Sequence, residues 1–144
     1  MPGTAEHYPF ALKLYLTTMR PYTEELMAWD EAKQSASFAR QWEPKDVTII
    51  TFQQETIGWL QVAVTPWEIW LQQMFISPEY QGRGIGTAVL TRLLIDWNSR
   101  GVPVKLSVLR NNPARRFYER CGFAVVAEVG VKLEMRLSAD RPEE

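Results

Sequence analysis

The sequence contains very little of the side-chain chemistry that metal sites and nucleophilic triads need. Cys121 is the single cysteine and His7 the single histidine among the 144 residues. An internal disulfide is therefore impossible, and a cysteine–histidine zinc site or a Ser-His-Asp triad has almost no residues to draw on. We accordingly predict no metal site.

The chain also lacks a large charge of one sign and a long hydrophobic run. Its formal net charge is −1, from 16 basic and 17 acidic side chains, so no strongly basic surface for nucleic acid is predicted. No stretch reaches the roughly 18 apolar residues of a membrane span. The opening MPGTAEHYPF lacks the basic and then apolar pattern of a signal peptide. We expect a cytoplasmic protein that binds neither nucleic acid nor membranes.

The patterns that are present indicate one mixed α/β domain. The length and the 46% apolar content allow a single core over 1–144, with frayed ends at 1–8 and 138–144. Phe10–Thr18 alternates apolar and polar residues, which predicts a first strand. The remaining patterns predict one or two helices in 20–42, strands at 46–52, 56–64 and 69–76, a helix at 87–97, a strand at 103–109, a helix at 113–121, and a hairpin of 124–129 with 132–137. This order implies a mixed sheet with helices on its faces.

A glycine-rich junction, SPEYQGRGIG at 77–86, connects a predicted strand to a predicted helix. The first amides of such a helix are unpaired and lie at the positive end of its dipole. Glycines let the backbone approach a phosphate, and Arg83 adds a cation. The pattern is neither a P-loop, since no Gly-Lys-Ser/Thr closes it, nor a dinucleotide fingerprint, since Thr87 replaces the third glycine. The junction is a pyrophosphate-binding loop or, alternatively, a tightly packed turn without a ligand.

Two blocks of the chain resemble the GCN5-related N-acetyltransferase (GNAT) superfamily. Gln81–Gly86 resembles its Gln/Arg-x-x-Gly-x-Gly/Ala acyl-CoA pyrophosphate loop, and Asn111–Phe123 resembles its segment in which Asn precedes a helix carrying Tyr and then Gly-Phe. The resemblance covers roughly 69–123, while the N-terminal part matches only in its pattern of elements. It implies a mixed, mostly antiparallel sheet of about seven strands with about four helices on its faces, and a splayed parallel pair that forms the acyl-CoA cleft.

The resemblance implies that the cofactor is acetyl-CoA and that its acetyl group passes to a primary amine, of a small molecule or a peptide, by direct attack in a ternary complex. Either of two asparagines matches the family position, and asparagine before Pro-Ala also caps a helix, so one of them is expected to be only a cap. By position, the implied cofactor contacts are Met74, Phe75, Ile76, Gln81, Gly82, Arg83, Gly84, Ile85, Gly86, Thr87, Asn111 and Asn112.

Tyr118 matches the tyrosine that protonates the departing thiolate in many relatives, which implies that it is the catalytic residue. A phenol of pKa about 10 can pass its proton to a sulfur whose thiol has a pKa of about 8.5 as the negative charge develops. The alternative is that Tyr118 is only an aromatic residue on a core-facing helix.

The general base is not identified by the sequence. An amine of pKa about 10.4 must lose a proton, which at pH 7 costs roughly 4.6 kcal/mol. Several relatives carry glutamate where this chain has Ser107 and Trp70. The candidate substrate contacts nearby are Glu68, Trp70 and Gln72, with Gln73 as an alternative to Gln72 for holding a water. Because of this departure, a non-catalytic acyl-CoA-binding or sensing module is the alternative function. The many aromatic residues could also form a homodimer interface.

Overall fold

A computed structural model describes residues 1–138 of the chain. The strands follow the order β1-β2-β3-β4-β6-β5, with β3 and β4 parallel and the pairs β1–β2, β4–β6 and β5–β6 antiparallel. In the described part, four α-helices and six strands occur: α1 (Tyr8–Leu26), α2 (Glu31–Gln41), β1 (Val47–Phe52), β2 (Glu55–Val64), β3 (Ile69–Ile76), α3 (Ile85–Ser99), β4 (Val104–Leu109), α4 (Ala114–Arg120), β5 (Ala124–Val129) and β6 (Lys132–Leu137).

The predicted mixed, mostly antiparallel sheet is confirmed, with six strands instead of about seven. The difference arises at Phe10–Thr18, which lies inside α1 and is not a strand. Ala11 and Leu14 are buried, and Tyr15 and Met19 pack against the same cluster. These spacings of three and four residues form one stripe on a helix. The prediction was wrong because the short alternating segment is part of a longer helical pattern.

The described chain divides into two compact units. The N-terminal unit comprises 1–62 and 73–80, and the C-terminal unit comprises 63–72 and, within the described residues, 81–138. Strand β3 therefore begins in the C-terminal unit and ends in the N-terminal unit. The single domain predicted over 1–144 stays a prediction, and most of the predicted frayed end at 138–144 lies outside the described residues.

An aromatic cluster forms the core of the N-terminal unit. Phe38, Trp59 and Phe75 are buried, and the ring centroid of Trp59 is 5.7 Å from that of Phe38 and 5.4 Å from that of Phe75. Gly58, next to Trp59, permits a close approach of β2 to β3, because an added Cβ would lie 2.3 Å from the Phe75 carbonyl oxygen. The packing therefore requires glycine at position 58.

The first residues of the chain are bonded to β1, although the sequence predicts fraying over 1–8. The amino group of Met1 donates to the Ile49 carbonyl at 2.9 Å, and the Ile49 amide donates back to the Met1 carbonyl at 2.7 Å. The Gly3 amide donates to the Val47 carbonyl at 2.8 Å. These bonds cover backbone groups of the edge strand that are otherwise open to water or to another chain.

The sheet of the C-terminal unit has one buried and one exposed face. Alternate residues of β4 lie opposite alternate residues of β6 on the buried face: Val104, Leu106 and Val108 opposite Leu137, Met135 and Leu133. The intervening residues project to the other side, where Ser107, Glu134 and Arg136 are exposed and Lys105 is half-buried. The period-two pattern of both strands produces this division.

Candidate functional site

The glycine-rich junction is an open loop and not a packed turn. Gly82 and Gly84 have φ of +73° and +78°, a left-handed conformation that favours glycine. A Cβ added at either position would meet no atom within 4 Å. Packing therefore does not explain why these two positions are glycine. The left-handed backbone conformation and the open space beside it do explain it.

The loop leads into α3 with an N-terminus suited to an anion. Gly84 is the N-cap, no side chain caps the helix, and no acidic residue stands in its first turn. The first helical hydrogen bond runs from the Ala88 amide to the Gly84 carbonyl at 3.0 Å. The amides that precede Ala88 point out of the helix start with a partial positive charge, and Arg83 is exposed beside them. This arrangement fits a pyrophosphate.

The two asparagines before α4 differ in their roles. Asn112 Oδ1 accepts a hydrogen bond from the Ala114 amide at 2.9 Å, and the Asn112 carbonyl accepts one from the Arg115 amide at 3.2 Å. Asn112 therefore binds the first amide of α4 from the position before the N-cap residue, which is Pro113. Asn111 lies next to it and is half-buried, so it is the candidate for a cofactor contact.

Tyr118 lies on α4 and is buried, at 7% exposure. Its ring centroid is 5.2 Å from that of Phe117 and 5.8 Å from that of Phe123, so the ring does form part of the core. Burial raises the pKa of the phenol well above its usual value, and the neighbouring Cys121 raises it further. Tyr118 therefore holds its proton at neutral pH, as a proton donor must.

Cys121, one turn after Phe117, is a free and half-buried thiol. Burial raises its pKa, although Arg120 acts in the opposite direction. The raised pKa keeps the sulfur protonated at neutral pH. Because the thiolate is the nucleophilic form, the environment of Cys121 disfavours a mechanism in which the acyl group is first transferred to the cysteine sulfur.

The three predicted cofactor contacts on β3 lie in the N-terminal unit. Phe75 is buried against Trp59, while Met74 and Ile76 are half-buried. Immediately after the strand, the Ser77 amide donates to the Ile57 carbonyl at 2.7 Å. The backbone at this end of β3 is thus held against β2 within the N-terminal unit.

The three predicted substrate contacts lie in the C-terminal unit. Glu68 precedes β3 and is held by a turn in which its amide donates to Thr65 Oγ1 at 3.0 Å. Trp70 is 42% exposed, and Gln72 is half-buried two positions further on. Since alternate residues of a strand share a face, Trp70 and Gln72 project to the same side of the sheet.

Lys105 on β4 contacts two of these residues and was not predicted as a site residue. Its Nζ lies 2.9 Å from Glu68 Oε1 and 5.0 Å from the centre of the Trp70 ring. The parallel pairing of β3 with β4 joins Ile69 to Val104 and Trp70 to Lys105. The alternation of KLSVL predicts which way Lys105 faces, but only the strand pairing places it beside Trp70.

A groove of about 440 Å³ on the N-terminal unit lies along α1 and the start of α2. Arg20 Nε is 2.6 Å from Glu24 Oε1, and the guanidinium carbon lies 5.6 Å from the centre of the Trp29 ring. Asp30 accepts from the Lys33 amide at 3.1 Å and so caps α2. The groove is lined by Leu16, Thr17, Arg20, Pro21, Glu24 and Glu31.

Residues 1–138 contain neither a candidate metal site nor a candidate membrane span. No group of three or more His, Cys, Asp or Glu side chains that could hold a metal ion occurs among these residues. None of the helices described is both long and apolar enough to cross a membrane.

Comparison with known proteins places this geometry in a family. A family model described as an acetyltransferase (GNAT) domain matches residues 43–125, more than half of the 144 residues. The solved PaiA N-acetyltransferase of Thermoplasma acidophilum, in complex with coenzyme A, is 17% identical, with a TM-score of 0.69 over 92% of this chain and 93% of that one. An acetyltransferase of Thermus thermophilus is 19% identical, with a TM-score of 0.69 over 94% and 92%.

A third solved structure is the ribosomal-protein-S18-alanine N-acetyltransferase of Escherichia coli. It is 22% identical, with a TM-score of 0.60 over 86% of this chain and 90% of that one. At these identities the solved structures show a shared fold, and the substrates in their names belong to those proteins.

Proposed function

Because this chain belongs to the GNAT acetyltransferase family, whose acyl donor is acetyl-CoA, we propose that it is an N-acetyltransferase acting on a primary amine of a small molecule or a peptide. Both substrates are bound at once, and the amine takes the acetyl group directly. The observation that carries the proposal is the start of α3, where a left-handed glycine, an N-terminus without a side-chain cap and Arg83 come together.

The chain's own residues divide the binding of acetyl-CoA between them. When bound, acetyl-CoA supplies an acetyl group activated as a thioester. In the N-terminal unit, the backbone of Met74, Phe75 and Ile76 is proposed to contact the pantetheine arm. In the C-terminal unit, Asn111 is the proposed cofactor contact, while Asn112 binds the Ala114 amide. The residues proposed to hold the pyrophosphate are Gln81, Gly82, Arg83, Gly84, Ile85, Gly86 and Thr87.

Tyr118 is the proposed proton donor, acting through its Oη atom. Burial raises its pKa, whereas a thiol has a pKa of about 8.5. Full transfer of the proton from Tyr118 to a thiolate is therefore uphill. The hydroxyl is best suited to donate a hydrogen bond to sulfur as negative charge develops, and to release its proton late.

The binding loop is tested by calorimetric titration of the protein with acetyl-CoA. Gly84→Asp adds a negative charge and a Cβ where φ is +78°, and we expect it to weaken binding by about 100-fold or more. Gly101→Asp is the matched control. Gly101 has φ +64°, also has no atom within 4 Å of an added Cβ, and follows the other end of α3.

The control variant should bind acetyl-CoA as the wild type does, because it adds the same charge and strain away from the loop. Equal binding by wild type and Gly84→Asp would show that the loop is not the cradle. A wild type that does not bind acetyl-CoA would overturn the proposed function.

A second candidate function is a non-catalytic acyl-CoA-binding or sensing module. One observation favours it: the carboxylate of Glu68, a candidate substrate contact, is engaged by Lys105 at 2.9 Å. A free-thiol assay over a panel of amines, with wild type and Tyr118→Phe, separates the two functions. An enzyme releases thiol, and Tyr118→Phe lowers turnover by about 100-fold with unchanged acetyl-CoA affinity. A sensor binds acetyl-CoA and releases none.

The proposal also includes a cytoplasmic location and a homodimer that uses exposed aromatic side chains. Trp67 is 71% exposed and is the clearest such residue. Sedimentation velocity at two protein concentrations tests the dimer. A single monomeric species at both concentrations would show that the dimer prediction is wrong.

A further inference from the structure

We propose that the exposed sheet face of the C-terminal unit binds the acceptor, and that the acceptor is a small amine that also carries a carboxylate. The inference rests on the proposed acetyl transfer and specifies its substrate class. We call this surface the acceptor face, and it comprises six side chains: Glu68, Trp70, Lys105, Ser107, Glu134 and Arg136.

The strand order places three of these side chains in one row. Trp70 on β3 pairs with Lys105 on β4, and Lys105 lies directly opposite Arg136 on β6. Directly paired residues project to the same face at close Cβ distances. An indole, an ammonium and a guanidinium are therefore neighbours on the surface, where Trp70 and Arg136 are exposed.

Two positive charges meet in this row, and only one has an identified counter-ion. Glu68 lies 2.9 Å from Lys105. Over residues 1–138, neither an ion pair nor a side-chain hydrogen bond engages the Arg136 guanidinium. Like charges directly opposite each other on a sheet are unfavourable, so an anion bound between them is stabilised.

The identity of the cation favours a carboxylate. A guanidinium presents a planar fork of N–H donors that binds a carboxylate through two parallel hydrogen bonds. The adjacent Trp70 ring offers a flat apolar surface for the rest of a small molecule. The row thus has one group for the anion and one for the body of the acceptor.

The next row along the same strands supplies a group for the amine. Ser107 on β4 lies directly opposite Glu134 on β6, and both are exposed. Within the described part of the chain, no ion pair engages Glu134. Successive rows on one face are about 7 Å apart, which suits a molecule whose carboxylate binds Arg136 while its ammonium binds Glu134.

This row pairs a hydroxyl with a carboxylate. The register places Glu134 on β6 directly opposite Ser107 on β4. The acceptor face therefore contains a carboxylate for the amine, carried by β6.

The test uses amino acids paired with their carboxamides as probes. The free-thiol assay with acetyl-CoA gives kcat and KM, and saturation-transfer NMR gives binding without turnover. We expect amino acids to be preferred over their amides by at least about tenfold. Arg136→Gln should raise KM for the amino acid by about 10- to 100-fold, with little change in kcat or in the values for the amide. Glu134→Gln should raise KM for both members of a pair.

Arg92→Gln is the matched control. Arg92 is an exposed arginine on α3, so the variant removes the same charge away from the acceptor face and should leave the preference for amino acids intact. Circular dichroism and thermal unfolding confirm that each variant is folded.

Several results would overturn the inference. Amides bound as well as amino acids, an Arg136→Gln variant with unchanged KM, or a stronger preference for amines that carry phosphate would each contradict a carboxylate site. Failure of the proposed acetyl transfer can be distinguished from failure of the acceptor-face inference. Amino-acid binding by NMR that Arg136→Gln abolishes, with no thiol released by any amine, supports the acceptor face and rejects the transferase.

Discussion

Glycine serves opposite purposes in the two units of this protein. In the N-terminal unit, Gly58 stands where an added Cβ would lie 2.3 Å from the Phe75 carbonyl oxygen, so the protein itself occupies the space. In the C-terminal unit, Gly84 has no atom within 4 Å of that point, yet its φ is +78°. Gly58 is required by packing, whereas Gly84 is required by a backbone conformation that leaves open space beside helix amides.

The hairpin between β1 and β2 shows that a left-handed backbone does not by itself require glycine. Gln53 and Gln54 have φ of 50° and 69°, although neither is glycine. The conformation costs roughly 1–2 kcal/mol for each residue with a Cβ, and the N-terminal unit tolerates that strain at an exposed turn. The comparison indicates that two features of Gly84 matter for the proposed binding loop: its positive φ and the open space beside it.

The largest expected effect is that of Gly58→Ala. The added methyl overlaps backbone that cannot rotate away, so we expect a loss of about 3 kcal/mol in the free energy of unfolding. Urea denaturation followed by circular dichroism measures it, with Gly101→Ala as a control at an uncrowded glycine. A loss below about 1 kcal/mol would show that β2 and β3 can separate at this point.

Gly84→Ala should have a smaller effect on stability, about 1–2 kcal/mol, because the cost is strain without overlap. Gly101→Ala, with φ +64°, should lose a similar amount. Calorimetry with acetyl-CoA distinguishes the pair, since only Gly84→Ala should also weaken binding. Equal affinities in the two variants would remove the contrast between the ends of α3.

Each unit also contains a tyrosine whose pKa burial raises: Tyr15 in the N-terminal unit and Tyr118 in the C-terminal unit. Above about pH 10 the unfolded chain loses the phenolic proton while the folded chain keeps it. Stability therefore falls with rising pH, with a slope that approaches about 1.4 kcal/mol per pH unit for Tyr118, the more deeply buried of the two.

Tyr118→Phe removes one of these contributions, so the variant should lose about 1 kcal/mol less than the wild type between about pH 10, where the unfolded phenol is half ionised, and about pH 11. Urea denaturation at both pH values measures the difference. Tyr15→Phe is the comparison and should give a smaller difference because Tyr15 is only half-buried. A wild type and a Tyr118→Phe variant with the same pH dependence would contradict the burial of the phenol.

The smallest expected effect is a gain in stability. Gln54→Gly relieves the left-handed strain in the hairpin but adds freedom to the unfolded chain, so we expect the protein to be stabilised by about 0.5–1 kcal/mol. Thermal unfolding measures it, and Gln41→Gly, in α2, should instead destabilise. A loss at position 54 would show that the glutamine side chain contributes a contact that outweighs the strain.

Much of the C-terminal unit was predictable because its signals are local. The apolar–polar alternation of β4 and β6 predicts two strands with one buried face, and the glycine-rich junction predicts the start of a helix, which is α3. That this helix start binds an anion stays a prediction. One of the two asparagines was predicted to cap α4; the N-cap is instead Pro113, and Asn112 accepts a hydrogen bond from the first helical amide, that of Ala114. The resemblance to the GNAT family, confirmed by the family match over 43–125, added the acetyl-CoA prediction.

The start of the N-terminal unit was predicted wrongly because its local signal is ambiguous. Phe10–Thr18 satisfies a strand alternation and also part of a helical stripe, and a nine-residue window cannot decide between them. The outcome depends on the buried surface against which the segment packs, here the cluster that contains Phe38 and Trp59.

By itself, therefore, the sequence determined what neighbouring residues decide: the left-handed glycines before α3 and the alternation of buried and exposed side chains along most of β4 and β6. Only the tertiary structure decided which strands lie side by side. The pairing of β4 with β6 puts Lys105 opposite Arg136 and Ser107 opposite Glu134. Such pairs join residues far apart in the chain, and they form because the whole sheet buries its apolar face, a condition that no local pattern specifies.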